Sequence, residues 1–133
     1  MAEPPRILLA DDNPAILEVV SNMLRKECVL VGTLQQGAAV VGETPTIQPD
    51  ILVLDVSMGD LDGFEITRRL KAKGCSAKII FLSVHEEFEF IRAAFDAGAS
   101  GYVFKSRINT DLRAAISAVM AGKAFVPPAT GSY

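Results

Sequence analysis

An α/β fold is predicted for these 133 residues: a doubly wound, five-stranded parallel sheet with helices on both faces. Three observations predict it. Five short apolar runs alternate with longer amphipathic stretches, the pattern of a parallel sheet with right-handed crossovers. Three of the runs are almost continuously Ile, Leu, Val or Phe, as expected of parallel strands buried on both faces. The amphipathic stretches between them open and close on residues that start and stop helices.

Taken in order, the first strand is Arg6 to Ala10. The helix after it opens with Asn13 as N-cap and Pro14 at its first position. Its apolar residues Ile16, Val19, Val20, Met23 and Leu24 follow helical spacing. Val29 to Leu34 is the second strand. The stretch after Gly37 is a weak helix, since Gly42 lies inside it and Pro45 cannot continue it; a short or broken helix is expected. Ile51 to Leu54 is the third strand. The third helix follows Gly63, turns Phe64, Thr67 and Leu70 inward, and stops near Gly74. Lys78 to Leu82 is the fourth strand, followed by a helix over Glu86 to Ala97 that ends at Gly98. Gly101 to Phe104 is the fifth. The last helix covers Asn109 to Ala121, with Leu112, Ile116, Val119 and Met120 on one face and Gly122 as its stop. Residues 124–133 carry two prolines and small polar residues and read as a tail or the start of a linker, which leaves a single domain over residues 1–123.

Composition narrows the function classes. Half the residues are hydrophobic and 22% are charged, which excludes a disordered tail. No apolar run approaches the ~18 residues that span a bilayer, and the first residues lack the basic-then-apolar order of a secretory signal. With a net charge of -3 and 13 scattered basic residues, the chain is a poor non-specific binder of nucleic acid. Its densest basic run, Arg68 to Lys73, reads as a solvated helix face. Cys28 and Cys75 form neither a CxxC pair nor a metal cluster, so reduced thiols in a cytoplasmic protein are expected.

In parallel α/β sheets the functional crevice lies beyond the carboxyl ends of the strands. That rule points to Asp11-Asp12, Asp55, Ser83 and Lys105, each directly after a predicted strand. Three carboxylates gathered there would repel one another, and at least one would hold a proton at elevated pH. A hard divalent cation relieves the repulsion, and Mg²⁺ takes one or two carboxylates plus waters and phosphate oxygens. Lys105 adds a second positive charge and Ser83 a hydroxyl donor. Together they suit a phosphoryl group carried on a carboxylate, where charge on the transferring oxygens is the main thing to stabilise. Singly, acids at strand ends cap helices and a lysine there is solvated; the joint pattern on strands one, three, four and five is what points to chemistry.

The same residues carry a family resemblance. Leu8-Leu9-Ala10-Asp11-Asp12-Asn13, Pro49 to Asp55, Asp62-Gly63, Phe81-Leu82-Ser83 and Ala97 to Lys105 resemble the receiver domain of bacterial two-component response regulators, over Arg6 to about Gly122. The resemblance implies a flavodoxin-like strand order, 2-1-3-4-5. It implies Asp55 as phosphoacceptor, Asp12 and Asp55 as direct Mg²⁺ ligands, Asp11 as a ligand through water, and the Ser57 backbone carbonyl as the remaining protein ligand. Ser83 and Lys105 would contact the phosphoryl group, and Tyr102 matches an aromatic that changes rotamer on activation. His85, two residues past Ser83, would stand with Ser57 at the rim of the site. The partner implied is a sensor histidine kinase. The face of the fourth helix, fifth strand and fifth helix is implied as the output surface and a candidate homodimer contact. The only catalysis implied is of the domain's own phosphorylation and dephosphorylation.

Two departures stand out. Met58-Gly59 replaces the family's usual Met-Pro, which should loosen that loop. Ser106 follows Lys105 where the family often has a cis proline; a cis bond before a non-proline residue costs about 3–4 kcal/mol, so this bond is trans or a strained cis. Lys105-Ser106 and the ending Ala121 to Pro128 are similar to regulators of the NarL/LuxR type, in which a helix-turn-helix domain follows the receiver and the output is transcription. The alternatives are a stand-alone receiver acting by protein contacts and a docking module that is never phosphorylated. A haloacid-dehalogenase-type phosphatase needs a second Asp where Ser57 stands, and a flavodoxin's phosphate loop would meet the acids of Asp11-Asp12.

Overall fold

The computed structural model describes residues 3–128. β1 (Arg6–Ala10), β2 (Val29–Leu34), β3 (Ile51–Asp55), β4 (Lys78–Ser83) and β5 (Gly101–Phe104) form one parallel sheet in the order β2-β1-β3-β4-β5. This is the flavodoxin-like order that the resemblance implied. α1 (Pro14–Leu24), α2 (Gly37–Ile47), α3 (Gly63–Ala72) and α4 (Phe88–Ala97) make the crossovers, and a 3-10 turn over Lys105–Arg107 leads into α5 (Ile108–Met120).

Strand periodicity sorts the core into two layers. Ile7, Leu9, Ile51, Val53, Ile80 and Leu82 face α1 and α5, while Leu8, Ala10, Leu52, Leu54, Ile79 and Phe81 face α2, α3 and α4. Central β3 is buried at every position, which is why it reads as a continuous apolar run ending in an acid.

β3 and β4 each run one residue further than expected. Asp55 pairs with Leu82 and Ser83 with Phe104 in the ladder, so these two residues end their strands and are held by them. α4 begins at Phe88, two residues later than expected, and α5 runs from Ile108 to Met120 rather than from Asn109 to Ala121. Three expected inward positions also differ. Val19 and Met120 are about half exposed, while Leu17 and Ala115 are buried on the same helices. On α3 it is Ile66, not Phe64, that is fully buried; Phe64 lies partly buried with its ring edge-on to Phe81.

The expectation of a short or broken second helix is corrected: α2 is continuous for 11 residues with Pro45 inside it. A proline in a helix orphans the carbonyl four residues earlier. Here that carbonyl is Val41's, and Lys73 Nζ from the end of α3 donates to it at 3.3 Å. Thr44 Oγ1 donates to the Val40 carbonyl at 2.6 Å.

The folded body extends to Phe125. Its N–H donates to the Ser100 carbonyl, its carbonyl accepts from Tyr102 N–H, and its ring packs on the α1/α5 layer. Residues 129–133 of the expected tail lie outside the described residues. Among the described residues, no helix is long and apolar enough to cross a membrane.

Candidate functional site

The carboxyl edge of the sheet gathers the acids expected there. Asp11 is the residue after β1, Asp12 begins the turn into α1, and Asp55 ends β3. One carboxylate oxygen from each lies within 4.8 Å of the others. Asp11 and Asp55 are buried, and Asp12 opens to solvent. Local hydrogen bonds aim them. Asp11 Oδ1 accepts from Asn13 N–H at 2.9 Å, while Asn13 Oδ1 accepts from Ala15 N–H and caps α1. Asp55 Oδ1 accepts from Ser57 N–H at 3.2 Å. The sequence's capping signal at Asn13-Pro14 thus also fixes the turn that carries Asp11 and Asp12.

Lys105 leaves β5 opposite them. Its Nζ lies 3.0 Å from Asp11 Oδ2 and 3.4 Å from Asp55 Oδ2. Asp11 Oδ2 is buried, and the Lys105 ammonium is the cation it meets, as an ion pair. Burial works to lower the Lys105 pKa, but the two carboxylates outweigh it and hold it above the usual lysine value. Asp55 is the frustrated member. Burial first, and then the charge of Asp11, push its carboxyl up to about 6, against the pull of Lys105 and the Ser57 N–H. One lysine does not balance three acids.

Three carboxylates sharing one lysine, a carboxyl driven upward by burial and by a like charge, and a purely oxygen donor set fit a hard divalent cation. Asp11, Asp12 and Asp55 are the residues that fit Mg²⁺. The loop behind them is pinned at its base by an antiparallel bridge between Ser57 and Asp62. Gly59 has φ +84° and passes close to Asp12 Oδ2. Proline, locked near −65°, cannot adopt that angle, so the loop as folded here requires a residue other than proline at position 59.

Ser83 and Tyr102 form a second, adjoining cluster. Ser83 Oγ accepts from His85 N–H at 2.9 Å, and as an acceptor it keeps its own O–H for donation. Tyr102 is fully buried, and its hydroxyl donates to the His85 carbonyl at 2.7 Å. Its phenol pKa is raised, chiefly by burial. The backbone of His85 therefore joins Ser83 to Tyr102. Its ring lies elsewhere, stacked on Phe90 of α4 with centroids 3.9 Å apart and Nδ1 3.9 Å from Glu87 Oε2. Asp11, Asp12, Asp55 and Lys105 are thus brought together, and Ser83 with Tyr102, while the His85 imidazole is directed to α4.

The Lys105–Ser106 bond is trans. Ser106 Oγ donates to Glu86 Oε2 at 3.1 Å and ties the turn that carries Lys105 to the β4–α4 loop. Glu86 was missed in the sequence because it reads as an ordinary acid in a helix's first turn, and its partner is 20 residues away.

Comparison with known proteins agrees with this geometry. The response regulator receiver domain family matches residues 7–117. The chain is 30% identical over 123 residues to the nitrate/nitrite response regulator protein NarL of Escherichia coli K12, covering 91% of this chain and 57% of that protein. It is 28% identical over 121 residues to the DNA-binding transcriptional activator EvgA of the same strain, covering 90% and 59%. The chain therefore spans somewhat under two thirds of the length of these curated relatives. Among solved structures, a LuxR-family two-component response regulator from Aurantimonas sp. SI85-9A1 superposes with TM-score 0.89 at 30% identity, covering 95% of this chain and 91% of that one. The isolated receiver domain of RcsB from Salmonella enterica serovar Typhimurium, in the presence of phosphomimetic BeF3-, gives 0.86 at 27% identity, covering 94% of each. The chain belongs to the response regulator receiver domain family, and within it to the receivers of NarL/LuxR-type regulators.

Proposed function

We propose that Asp55 accepts a phosphoryl group from the phosphohistidine of a sensor kinase, and that the change is read on the α4, β5 and α5 face. The observation that carries this reading is a single cluster: carboxylate oxygens of Asp11, Asp12 and Asp55 within 4.8 Å of one another at the carboxyl edge of the sheet, with Lys105 Nζ 3.4 Å from Asp55. Asp12, Asp55 and the Ser57 backbone carbonyl would hold Mg²⁺ directly and Asp11 through a water, and the bound ion would supply positive charge that favours the ionised, attacking form of Asp55 and balances the phosphoryl oxygens.

An Asp55 carboxylate oxygen attacks phosphorus. The O–P bond forms as the P–N bond to the kinase imidazole breaks, and the bonding pair returns to that ring nitrogen. Lys105 holds charge accumulating on the transferring oxygens, and the Ser83 O–H donates to one of them. Drawing Ser83 toward the phosphoryl group alters its bond with His85 N–H, and the His85 carbonyl holds the Tyr102 hydroxyl. Phosphorylation thereby shifts a pre-existing equilibrium at α4 and β5. The exposed Phe88 at the start of α4 suits contact with a partner or a second copy. In a longer cytoplasmic regulator of the kind this chain resembles, the output is transcription through a following DNA-binding domain.

Mass spectrometry of a trapped acyl phosphate tests the assignment. Label from a small phosphodonor is expected on Asp55, dependent on Mg²⁺ and absent from Asp55→Asn. Equal labelling in EDTA, or label persisting in Asp55→Asn, would contradict it.

A further inference from the structure

α2 begins without a cap of its own. Gln36, its N-cap residue, makes no side-chain capping bond. The first free N–H groups of a helix need acceptors, and here they are met from 23 residues away. Asp60, at the tip of the loop after Asp55, accepts from Gly37 N–H through Oδ1 at 2.7 Å and from Ala38 N–H through Oδ2 at 3.0 Å. The two elements also touch directly. A Cβ on Gly37 would fall 2.8 Å from Leu61 Cβ and 3.0 Å from Asp60 Oδ1, so only glycine lets the helix end seat on the loop.

The loop is held at four places. Its base is the Ser57–Asp62 bridge, Asp62 Oδ1 caps α3 by accepting from Glu65 N–H, and buried Met58 anchors it to the core. Its tip, Gly59-Asp60, is held by α2. Gly59 at that tip faces Asp12 Oδ2.

We propose that Asp60 is a positioning residue for the cation site: its two-oxygen grip on α2 fixes the loop that carries the Ser57 carbonyl and borders Asp12. The inference rests on the reading of Asp11, Asp12, Asp55 and Ser57 as that site. It also makes α2 a second responder, since a cation that tightens the loop pulls on the Gly37 and Ala38 amides. Residues that orient metal ligands typically change affinity about 10–100-fold when removed. Asp60 lies at the exposed tip, so roughly a 3- to 10-fold loss, below that range, is expected.

The test measures Mg²⁺ affinity by calorimetry and by amide chemical shifts in four chains: wild type, Asp60→Ala, Asp60→Asn and Arg6→Ala. Arg6 caps the opposite end of α2, donating to the Gln48 and Ile47 carbonyls, and serves as the control for loosening the helix alone. Wild type should show a Mg²⁺-dependent shift of the Gly37 amide; Asp60→Ala should lose it and bind Mg²⁺ roughly 3- to 10-fold more weakly. Asp60→Asn keeps one acceptor oxygen and should lie between. Arg6→Ala should lose melting temperature but keep wild-type affinity. Unchanged affinity in Asp60→Ala, or an equal loss in Arg6→Ala, would overturn the positioning role while leaving the cation site standing. A wild-type chain that does not bind Mg²⁺ would overturn both.

Discussion

The two edges of the sheet carry charge in opposite ways. At the amino edge, polar groups are exposed and matched. Asp50 Oδ2 accepts from Arg6 N–H at 2.8 Å, and the Arg6 guanidinium caps the carbonyl end of α2. At the carboxyl edge, Asp11 and Asp55 are buried beside each other with one lysine between them. The same strands end in a relaxed edge and a frustrated one. Frustration of this kind is costly in the resting fold and useful only where another charge is to arrive, so it marks the working edge.

Lys105→Ala should break the comparison most strongly, because it leaves two buried carboxylates without their cation. Breaking a buried pair costs about 3–5 kcal/mol; with the Lys105 side chain 17% exposed, a loss of about 2–3 kcal/mol is expected by denaturant unfolding in EDTA. Phosphorylation of Asp55 should slow by about 10²–10³-fold, the usual worth of a preorganised charge stabiliser.

Asp55→Asn sharpens the contrast through pH. Folding raises the Asp55 pKa from 3.8 to about 6, so between those values the native state binds more protons than the unfolded one. Its favourable contribution is present below about pH 3.8 and is lost as pH rises through about 6. The stability of Asp55→Asn relative to wild type, both in EDTA, should therefore grow from pH 4 to pH 7 by about 2–3 kcal/mol. A pH-independent difference would mean that the edge is not frustrated.

At the amino edge the matched substitution should matter little. Arg6→Ala removes exposed bonds, so about 0.5–1 kcal/mol is expected, with the phosphorylation rate unchanged. A rate defect there would show that the two edges are coupled.

The legible parts of the molecule are those whose causes lie close in sequence. α1 announces itself because Asn13 and Pro14 stand beside the helix they start. Asp11-Asp12, Asp55, Ser83 and Lys105 are legible because each ends or directly follows an apolar strand, and strand order then brings the acids and Lys105 together; Ser57, Tyr102 and His85 follow only from the family resemblance. α2 was misjudged because its rescue is remote: Lys73 answers the carbonyl that Pro45 orphans, and Asp60 caps the start that Gln36 does not. The Ser106–Glu86 bond and the return of Phe125 onto β5 have the same character. Each is one side chain or one backbone pair meeting a partner that periodicity does not index. The direction of the His85 ring was likewise unreadable, because its stack on Phe90 depends on how the loop before α4 turns.

The central claim is that Asp55 sits in a site short of positive charge, and its own titration tests that most directly. Carbon-13 NMR of the aspartate carboxyls should find Asp55 titrating near 6 in EDTA, where burial and Asp11 set it. Saturating Mg²⁺ should drop it well below the ordinary aspartate value, because a bound cation favours the ionised form. An Asp55 carboxyl that titrates near 3.8 in EDTA and does not respond to Mg²⁺ would contradict the account.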